Sequence, residues 1–401
     1  MMFKKFNRVA QMGLPACALL AVIIVLLGRF WWPGGTSAWA SSTRMALLLF
    51  LLSWLLSKRW SWPEAQARSL LIMLGLLVAW MVISVLCFGG RSDIMRRGIV
   101  LAVFVGAVAY LASSEEGVAR CLAVLKVTAC LASIACLLTI MLELEKRGLD
   151  FRYRAFRLHS SGIPGFAEFY NPIISGMYMA LAGLTAGWCV LYSRRSVFTW
   201  MWLLCLAVIS LYVFLTYSRS TWLALALGGT VLLLREGRPI HWLCSVVALA
   251  TVSVLLLMKF PEMYSVEVAR GATNRELIWQ MVLDEMPGHW LVGHGAGVEM
   301  IAMQIPGQTV VNTHSLYLEV LFQYGLVGLS IFVAVLGMTL RLLWRDRSSL
   351  ATLNLAVLVG AVGVMFFELH SFIHSPNLVW LWIWLPVAVA LGFRERRARL
   401  Q

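Results

Sequence analysis

Charged residues are scarce in this chain, and those that occur mostly avoid its long apolar stretches. Only 13% of the 401 residues are charged, whereas 61% are hydrophobic, and the mean hydropathy is +0.82. A soluble domain has about 25% charged and about 45–50% apolar residues. The composition therefore excludes an ordinary soluble protein and predicts a chain that crosses a membrane repeatedly.

Disulfide and metal patterns are also missing from the sequence. The eight cysteines all fall within or at the ends of apolar stretches, so no disulfide framework or cysteine-type metal site is indicated. No Asp-rich or His-Glu-x-x-His motif occurs. The pair His370 and His374, four residues apart with Glu368 nearby, resembles metal-ligand spacing. We nevertheless predict no metal and no other cofactor.

Apolar runs long enough to cross a membrane recur through the chain. A transmembrane helix needs about 17–25 predominantly apolar residues, and this criterion predicts about twelve, of which the second, fourth and eighth are short. The expected fold is an all-α polytopic integral membrane protein with a single domain over residues 1–401. The predicted spans are 14–31, 43–56, 69–88, 98–112, 121–142, 172–192, 197–217, 221–234, 242–260, 318–340, 350–367 and 378–393.

The positions of Lys and Arg predict the orientation. If the amino terminus is cytoplasmic, the short inner connections and both termini carry clusters of basic residues, beginning with Lys4, Lys5 and Arg8. Positive charge in short loops favours the cytoplasmic side, whereas charge in long loops affects orientation weakly. We therefore expect both termini in the cytoplasm.

Two connections on the predicted outer side, 143–171 and 261–313, are much longer than the rest. Structureless loops beyond about 12–15 residues are usually functional or disordered, and the apolar and aromatic residues here argue against disorder. We expect both loops to contain short helices and to form the walls of a site. In the second loop, Thr273 or Asn274 is the expected cap of a helix that reaches about Met286.

Arginines lie where these loops meet the apolar spans. Arg154 and Arg157 are in the first loop, Arg219 is in a short turn between two spans, and Arg275 begins the helix expected in the second loop. Isolated cations beside a membrane are costly, so their convergence indicates a polyanionic, phosphate-bearing ligand. The alternatives are an interfacial helix for the first two, snorkelling for Arg219 and a solvated helix end for Arg275.

His314 is the candidate base. It lies at the outer end of the tenth predicted span, where a neutral imidazole could take a proton from a hydroxyl. A helix-capping or interfacial histidine is the alternative. Carboxylates near the arginines would be held ionised and weakly basic. Those on the outer loops that could otherwise serve are Glu168, Glu276, Asp284, Glu285 and Glu299.

Four short segments together resemble the O-antigen ligase and polymerase superfamily of bacterial envelope glycosyltransferases. They are TYSRSTW at 216–222, RELIW at 275–279, GHGAG at 293–297 and the stretch 314–328, in the family's order. The family often has Asn after the histidine and Glu before the tyrosine-glycine pair, where this chain has Ser315 and Gln323. The roles of these two residues, and of His294, His370 and His374, are left open.

The resemblance implies a C-type glycosyltransferase-like fold in the bacterial inner membrane, with its active site facing the periplasm. It implies transfer of a glycan from undecaprenyl diphosphate to a hydroxyl of the lipid A–core oligosaccharide, without metal or nucleotide sugar. Direct attack opposite the diphosphate would invert the anomeric configuration. We expect His314 and Arg219 to be catalytic and Arg275, Arg154 and Arg157 to bind the substrate.

Other functions fit parts of the pattern. A polymerase of the same superfamily would join lipid-linked repeats instead. A lipid flippase or transporter should carry charges along its spans, which are nearly free of charge apart from Lys126. A purely structural envelope scaffold would not need arginines gathered beside a histidine. We expect membrane lipids and no nucleic acid as partners, and the sequence leaves the sugars, the acceptor hydroxyl and the oligomeric state open.

Overall fold

The computed structural model is mostly helical. It describes residues 2–32, 35–57, 65–148, 153–154, 156–193, 195–271, 274–300, 303–305, 308–310, 312–369 and 371–392. The helices are α1 Met2–Leu27, α2 Gly35–Ser57, α3 Ala65–Cys87, α4 Asp93–Ala112, α5 Glu115–Arg147, α6 Pro172–Tyr192, α7 Ser196–Leu215, α8 Arg219–Glu236, α9 Pro239–Lys259, α10 Met263–Ala269, α11 Arg275–Asp284, α12 Leu316–Arg345, α13 Ser349–Val364 and α14 Leu385–Gly392. A π-helical turn, Trp380–Trp384, leads into α14.

Each of the first eleven predicted spans coincides largely with one of these helices, and the twelfth, 378–393, covers the π-helical turn and α14. Eight of the described helices, α2 to α7, α9 and α12, are long and apolar enough to cross a membrane. This confirms a polytopic membrane protein. The count of about twelve spans, the single domain and the direction in which the chain is inserted stay predictions.

The first long loop differs from expectation. Instead of a short helix, its described part contains the antiparallel hairpin β1 Ser160–Ile163 and β2 Phe166–Glu168. The turn is tight because Gly162 and Gly165 adopt positive φ angles of 74° and 73°, which glycine does without steric cost. The second long loop does contain the expected short helices, α10 and α11, together with a second hairpin, β3 Met303–Ile305 and β4 Gln308–Val310.

Contacts between the connections sort them into two ends of the bundle. At one end, the N–H of Leu158 donates to the carbonyl of Leu215, and that of Ala167 donates to Phe30, at 3.1 and 2.8 Å. These bonds join the connection that follows α5 to the connection after α1 and to the last residue of α7. At the other end, Arg235 of α8 donates to carbonyls at the end of α12 at 2.8 and 2.6 Å. Connections therefore lie alternately at the two ends of the bundle, as expected of successive membrane spans.

Helices α8 and α13 approach each other through small residues. A Cβ at Gly360 would lie 2.8 Å from the carbonyl oxygen of Ala224, and one at Gly228 would lie 2.9 Å from that of Ala356. In a membrane, close packing of this kind replaces the hydrophobic effect as the attraction between helices. It holds the first turn of α8 beside the segment that follows α13.

Helix α12 is broken at Gly325, where φ is 66° and ψ is −171°. The N–H of Leu326 donates to the carbonyl of Trp290, and the carbonyl of Phe322 accepts from the N–H of His294, both at 2.8 Å. Irregular backbone within a span is tolerated where protein groups satisfy its hydrogen bonds again. The break therefore fastens the second long loop to the start of α12.

The two ends can be distinguished by labelling. In a background lacking the native cysteines, Ile163→Cys and Ser265→Cys should react with a membrane-impermeant thiol reagent added outside intact cells. Ser196→Cys and Arg347→Cys, at the opposite end, should react only after permeabilisation, because inner loops are screened by the membrane. The reverse pattern would contradict the predicted orientation.

Candidate active site

Glu267, on the short helix α10, lies at the centre of a cluster of guanidinium groups. Its carboxylate accepts hydrogen bonds from Arg154 at 3.2 Å, Arg219 at 2.6 Å and Arg270 at 2.8 Å. The hydroxyl of Tyr153 also donates to it at 3.0 Å. The sequence analysis missed Glu267 and Arg270, because two opposite charges three residues apart are typical of an exposed helix face.

The charge of Glu267 is fixed by this environment. Burial alone would raise its pKa, but hydrogen bonds from Arg219, Arg270 and Tyr153 outweigh that effect and hold the pKa at about 2. The carboxylate is therefore ionised throughout the physiological range. It orients the arginines and offsets part of their mutual repulsion.

Arg219 occupies the junction between α7 and α8, as the sequence predicts. Its three nitrogens donate to the Glu267 carboxylate, to the carbonyl of Gly271 at 2.9 Å and to the carbonyl of Glu267 at 2.7 Å. An arginine has five N–H donors, so two are left after these three bonds. The side chain is 41% exposed, the most accessible of the three that bind Glu267. Arg219 is thus held rigidly while retaining donors for a ligand.

Arg154 and Arg157 reach the same junction from the first long loop. Arg154 donates to the carbonyl of Tyr217 at 3.3 Å, and Arg157 donates through Nε to the carbonyl of Thr216 at 2.9 Å. The interfacial-helix alternative is wrong for the described residues here, because 156–159 form no helix and Arg154 has a φ of 61°. Burial, and then the charges of Arg154 and Arg270, lower the pKa of Arg157, but an arginine stays protonated at any physiological pH.

A second group of charges adjoins the first. Arg275, the first residue of α11, donates to the buried carboxylate of Glu368 at 2.7 Å, and the hydroxyl of Ser220 donates to the same oxygen at 3.0 Å. Burial raises the pKa of Glu368, and the charge of Arg275 opposes the rise. Ser220 directly follows Arg219, so the first turn of α8 joins the two groups. The sequence indicated Glu368 only as a neighbour of two histidines.

His314 lies beside this second group. It has a φ of 50°, its N–H donates to the side chain of Asn312 at 3.2 Å, and the preceding carbonyl of Thr313 accepts from Trp279 of α11 at 3.2 Å. Burial, and then the charge of Arg275, lower the pKa of His314 below its ordinary value of 6.5. No hydrogen bond to its imidazole occurs within the described ranges. The ring is therefore neutral at neutral pH and able to accept a proton.

Both ends of α11 differ in detail from the prediction. The helix ends at Asp284, two residues before the predicted end at Met286, and its preceding residue, Asn274, has a φ of 62° and makes no side-chain cap. Thr273, the other expected cap, lies outside the described residues. The buried side chains of Ile278 and Val282 pack against the start of α12, which fixes Arg275 relative to His314.

Positive charge exceeds negative charge in the combined site. Five guanidinium groups outnumber the two carboxylates that pair with them and the neighbouring Glu262, which accepts from the N–H of Tyr153 at 3.2 Å. Helices α8 and α11 also begin here, and their free N–H groups favour an anion. The hydroxyl of Ser218, at the start of α8, is buried without a hydrogen-bond partner among the residues that the structure describes. The charged groups are Arg154, Arg157, Arg219, Arg270, Arg275, Glu267 and Glu368.

The histidines considered for a metal are arranged differently. His374 lies 3.1 Å from the carbonyl of Ser375 through Nδ1, while Glu368 binds Arg275 and Ser220. No group of three His, Cys, Asp or Glu residues suited to a metal ion occurs among the described residues. His370 lies outside them, so the absence of a metal stays a prediction.

Two other residues whose roles were left open belong to the packing around the broken helix. The His294 ring stacks between those of His289 and Phe322, at centroid distances of 4.0 and 4.2 Å. Gln323 donates to the buried Glu319 at 2.7 Å and accepts from the N–H of the glycine at 297 at 3.0 Å. Both connect the second long loop to α12.

A third, Ser315, closes the turn around His314. Its hydroxyl donates to the carbonyl of Met365, which follows α13, at 3.4 Å, and its N–H donates to the Thr313 hydroxyl at 3.2 Å. The contact ties the turn to the segment that leads to Glu368. It therefore helps to hold the histidine beside Arg275.

Comparison with known proteins bears on this region. The O-antigen ligase family model matches residues 203–333, which include Arg219, Arg275 and His314. A curated protein of Pseudomonas aeruginosa, named O-antigen ligase, is 27% identical over 220 residues, corresponding to 54% of this chain and 53% of that protein. The similarity thus spans about half the length of the relative. Both matches show that this part of the chain, which contains the candidate site, is similar to O-antigen ligases.

Proposed function

We propose that this protein transfers a glycan from undecaprenyl diphosphate to a hydroxyl of the lipid A–core oligosaccharide, at the periplasmic face of the bacterial inner membrane. The observation that carries the proposal is the joining of an arginine cluster with an excess of positive charge to a neutral histidine. Similarity to O-antigen ligases over residues 203–333 supports glycosyl transfer. The same geometry serves a donor whose leaving group is a diphosphate.

Donor binding in this proposal depends on the arginines. Arg219, Arg275, Arg154 and Arg157 hold the diphosphate, and the N–H groups that begin α8 add to the attraction. Arginine suits this role because its planar fork matches phosphate oxygens. As the glycan leaves, negative charge grows on the leaving oxygen, where oriented donors stabilise the transition state more than the ground state.

His314 acts as the general base. Its imidazole takes the proton of the acceptor hydroxyl while the acceptor oxygen forms a bond to the anomeric carbon. The bond from that carbon to the diphosphate oxygen breaks, and the electron pair leaves with the diphosphate. Because attack comes from the face opposite the leaving group, the configuration inverts without a glycosyl-enzyme intermediate. In this scheme the charge on the leaving diphosphate is compensated by the arginines and by the N–H groups that begin α8.

Deletion of the gene tests ligase against polymerase. Loss of a ligase should leave full-length polymer on undecaprenyl diphosphate and bare core on lipid A, because polymerisation precedes the lost step. Electrophoresis of lipopolysaccharide, with analysis of the lipid-linked pool, measures both. Core that carries a single repeat would identify a polymerase instead.

Arg219→Lys tests whether the guanidinium fork is required. Lysine keeps the charge but cannot reproduce the three directed bonds, so the transfer rate should fall by about 10²-fold or more, as for loss of one preorganised donor. Arg96→Lys, an exposed arginine at the start of α4, is the matched control and should transfer normally. Near-normal activity of Arg219→Lys would reduce the residue to a generic cation, and activity of Arg219→Ala would exclude it.

His314→Ala should bind the lipid-linked donor normally but lose about 10²–10⁴-fold in transfer rate, the usual contribution of a general base. Since the folded-state pKa is lowered, wild-type activity should stay constant from pH 8 to 7 and fall only below its ordinary value of 6.5, as the imidazole becomes protonated. Kinetics with purified protein across pH measure this. An active His314→Ala would pass the role to a carboxylate or to solvent.

A further inference from the structure

A separate cavity of about 430 Å³ lies between the connection that follows α1 and the hairpin of the first long loop. This volume falls within the range of small-ligand sites, about 300–1,000 Å³. Its lining includes Arg29, Trp32, His159, Glu168 and Tyr170. None of these residues takes part in the arginine cluster.

The lining combines an aromatic surface with both donors and acceptors of hydrogen bonds. Tyr170 is 74% exposed, which is unusual for an aromatic side chain that lines a cavity. Arg29 supplies donors, Glu168 supplies acceptors, and His159 can do either. A pyranose ring needs this combination, because one face of the ring is an apolar array of C–H groups and its rim carries hydroxyls that both donate and accept. An anionic headgroup would instead be disfavoured by the carboxylate of Glu168.

The walls of the cavity are fixed by contacts between lining residues and by contacts with residues outside the lining. The N–H of Ala167 in β2 donates to the carbonyl of Phe30 at 2.8 Å, which ties the hairpin to the connection after α1. The ring of Phe30 packs edge-on against Phe169 at 5.9 Å, and the guanidinium of Arg29 lies 4.9 Å above that same ring. A preformed wall lowers the entropic cost of binding a sugar.

The cavity adjoins the arginine cluster through a three-residue segment. Nδ1 of His159 lies 3.0 Å from the carbonyl of Arg157, whose side chain reaches the junction of α7 and α8. Between them, the N–H of Leu158 is bonded to the end of α7. Three extended residues span about 10 Å at most. A glycan seated in the cavity is therefore within a few sugar units of a diphosphate held by the arginines.

We propose that this cavity is a carbohydrate-binding subsite in which Tyr170 stacks on a hexopyranose ring and Arg29, Glu168 and His159 bind its hydroxyls. The inference rests on the proposed function in one respect, namely that the sugar belongs to one of the two glycan substrates. Either the lipid-linked donor or the core acceptor presents the required chemistry. The test distinguishes the two sources.

Titration calorimetry on the full chain in detergent should detect binding of an oligosaccharide freed from its lipid. Two probes are used, the core oligosaccharide released from lipid A and the O-chain released from its carrier. Tyr170→Ala should weaken binding of one probe roughly tenfold, the consequence of losing an aromatic contact, and Glu168→Gln should weaken the same probe. The probe affected identifies the substrate that the cavity holds.

Tyr264→Ala is the matched control, because Tyr264 is also 74% exposed but lies on α10, outside the cavity. It should bind both probes as the wild type does. Unchanged affinity in Tyr170→Ala and Glu168→Gln, or an equal loss in Tyr264→Ala, would overturn the subsite. Since Tyr170 and Glu168 are exposed, these variants should keep the wild-type melting temperature, which separates loss of binding from loss of fold.

Failure of the subsite and failure of the proposed function give different results. Arg219→Ala should lose glycan transfer but bind both free oligosaccharides normally, because it leaves the cavity intact. A wild type that binds an oligosaccharide through Tyr170 and transfers nothing would refute the transfer reaction and retain the subsite. If the wild type transfers glycan and Tyr170→Ala binds both oligosaccharides with unchanged affinity, the subsite alone is refuted.

Discussion

The ion pairs around Glu267 are the interaction on which the site depends. Arginines gathered at a membrane boundary repel one another and lose hydration, so they stay together only if a buried anion offsets those terms. Glu267 does this for Arg154, Arg219 and Arg270 at once. Since Arg154 comes from the first long loop and Arg219 from the start of α8, one carboxylate fixes three parts of the chain relative to one another.

The broken helix α12 supplies the other constraint. A continuous helix would satisfy its own backbone, whereas the break at Gly325 leaves groups that the second long loop binds. The loop is thereby held against the same helix whose first turn follows His314. Arg275 and His314 are brought together by this arrangement, because α11 packs on α12 through its apolar face. Fold and site are thus joined by backbone geometry that only glycine permits at this position.

The membrane spans and the position of Arg219 could both be predicted from the sequence, for different reasons. Apolar length gives the helices directly, as 172–192 shows by coinciding with α6. Arg219 could be identified because a three-residue turn between two spans must lie at the membrane boundary, so its charge must lie there too.

What the sequence could not give were features set by tertiary contact. The hairpin 160–168 replaces the expected helix because two glycines at positive φ and a bond to Phe30 favour a turn. Glu267 has only Arg270 as a local partner, and the sequence does not show its bonds to Arg154 and Arg219, which are distant along the chain. Glu368 was noted beside histidines, yet its partners are Arg275 and Ser220, which are distant in sequence. The break at Gly325 likewise lies inside the stretch 318–340, whose length and mostly apolar composition predict one continuous span.

Anion binding and proton acceptance depend on pH in opposite directions at this site. Glu267, with a pKa of about 2, keeps its charge across the physiological range, whereas burial shifts the pKa values of His314 and Glu368, which lie beside Arg275. The pKa of His314 is lowered and that of Glu368 is raised, which brings their titrations closer together. Protonating either one adds a positive charge and strengthens attraction for a diphosphate, yet protonating His314 removes the base. The lowered pKa of His314 therefore lets the site keep a neutral base beside an excess of cations, where an imidazole with an ordinary pKa would be partly charged near neutrality.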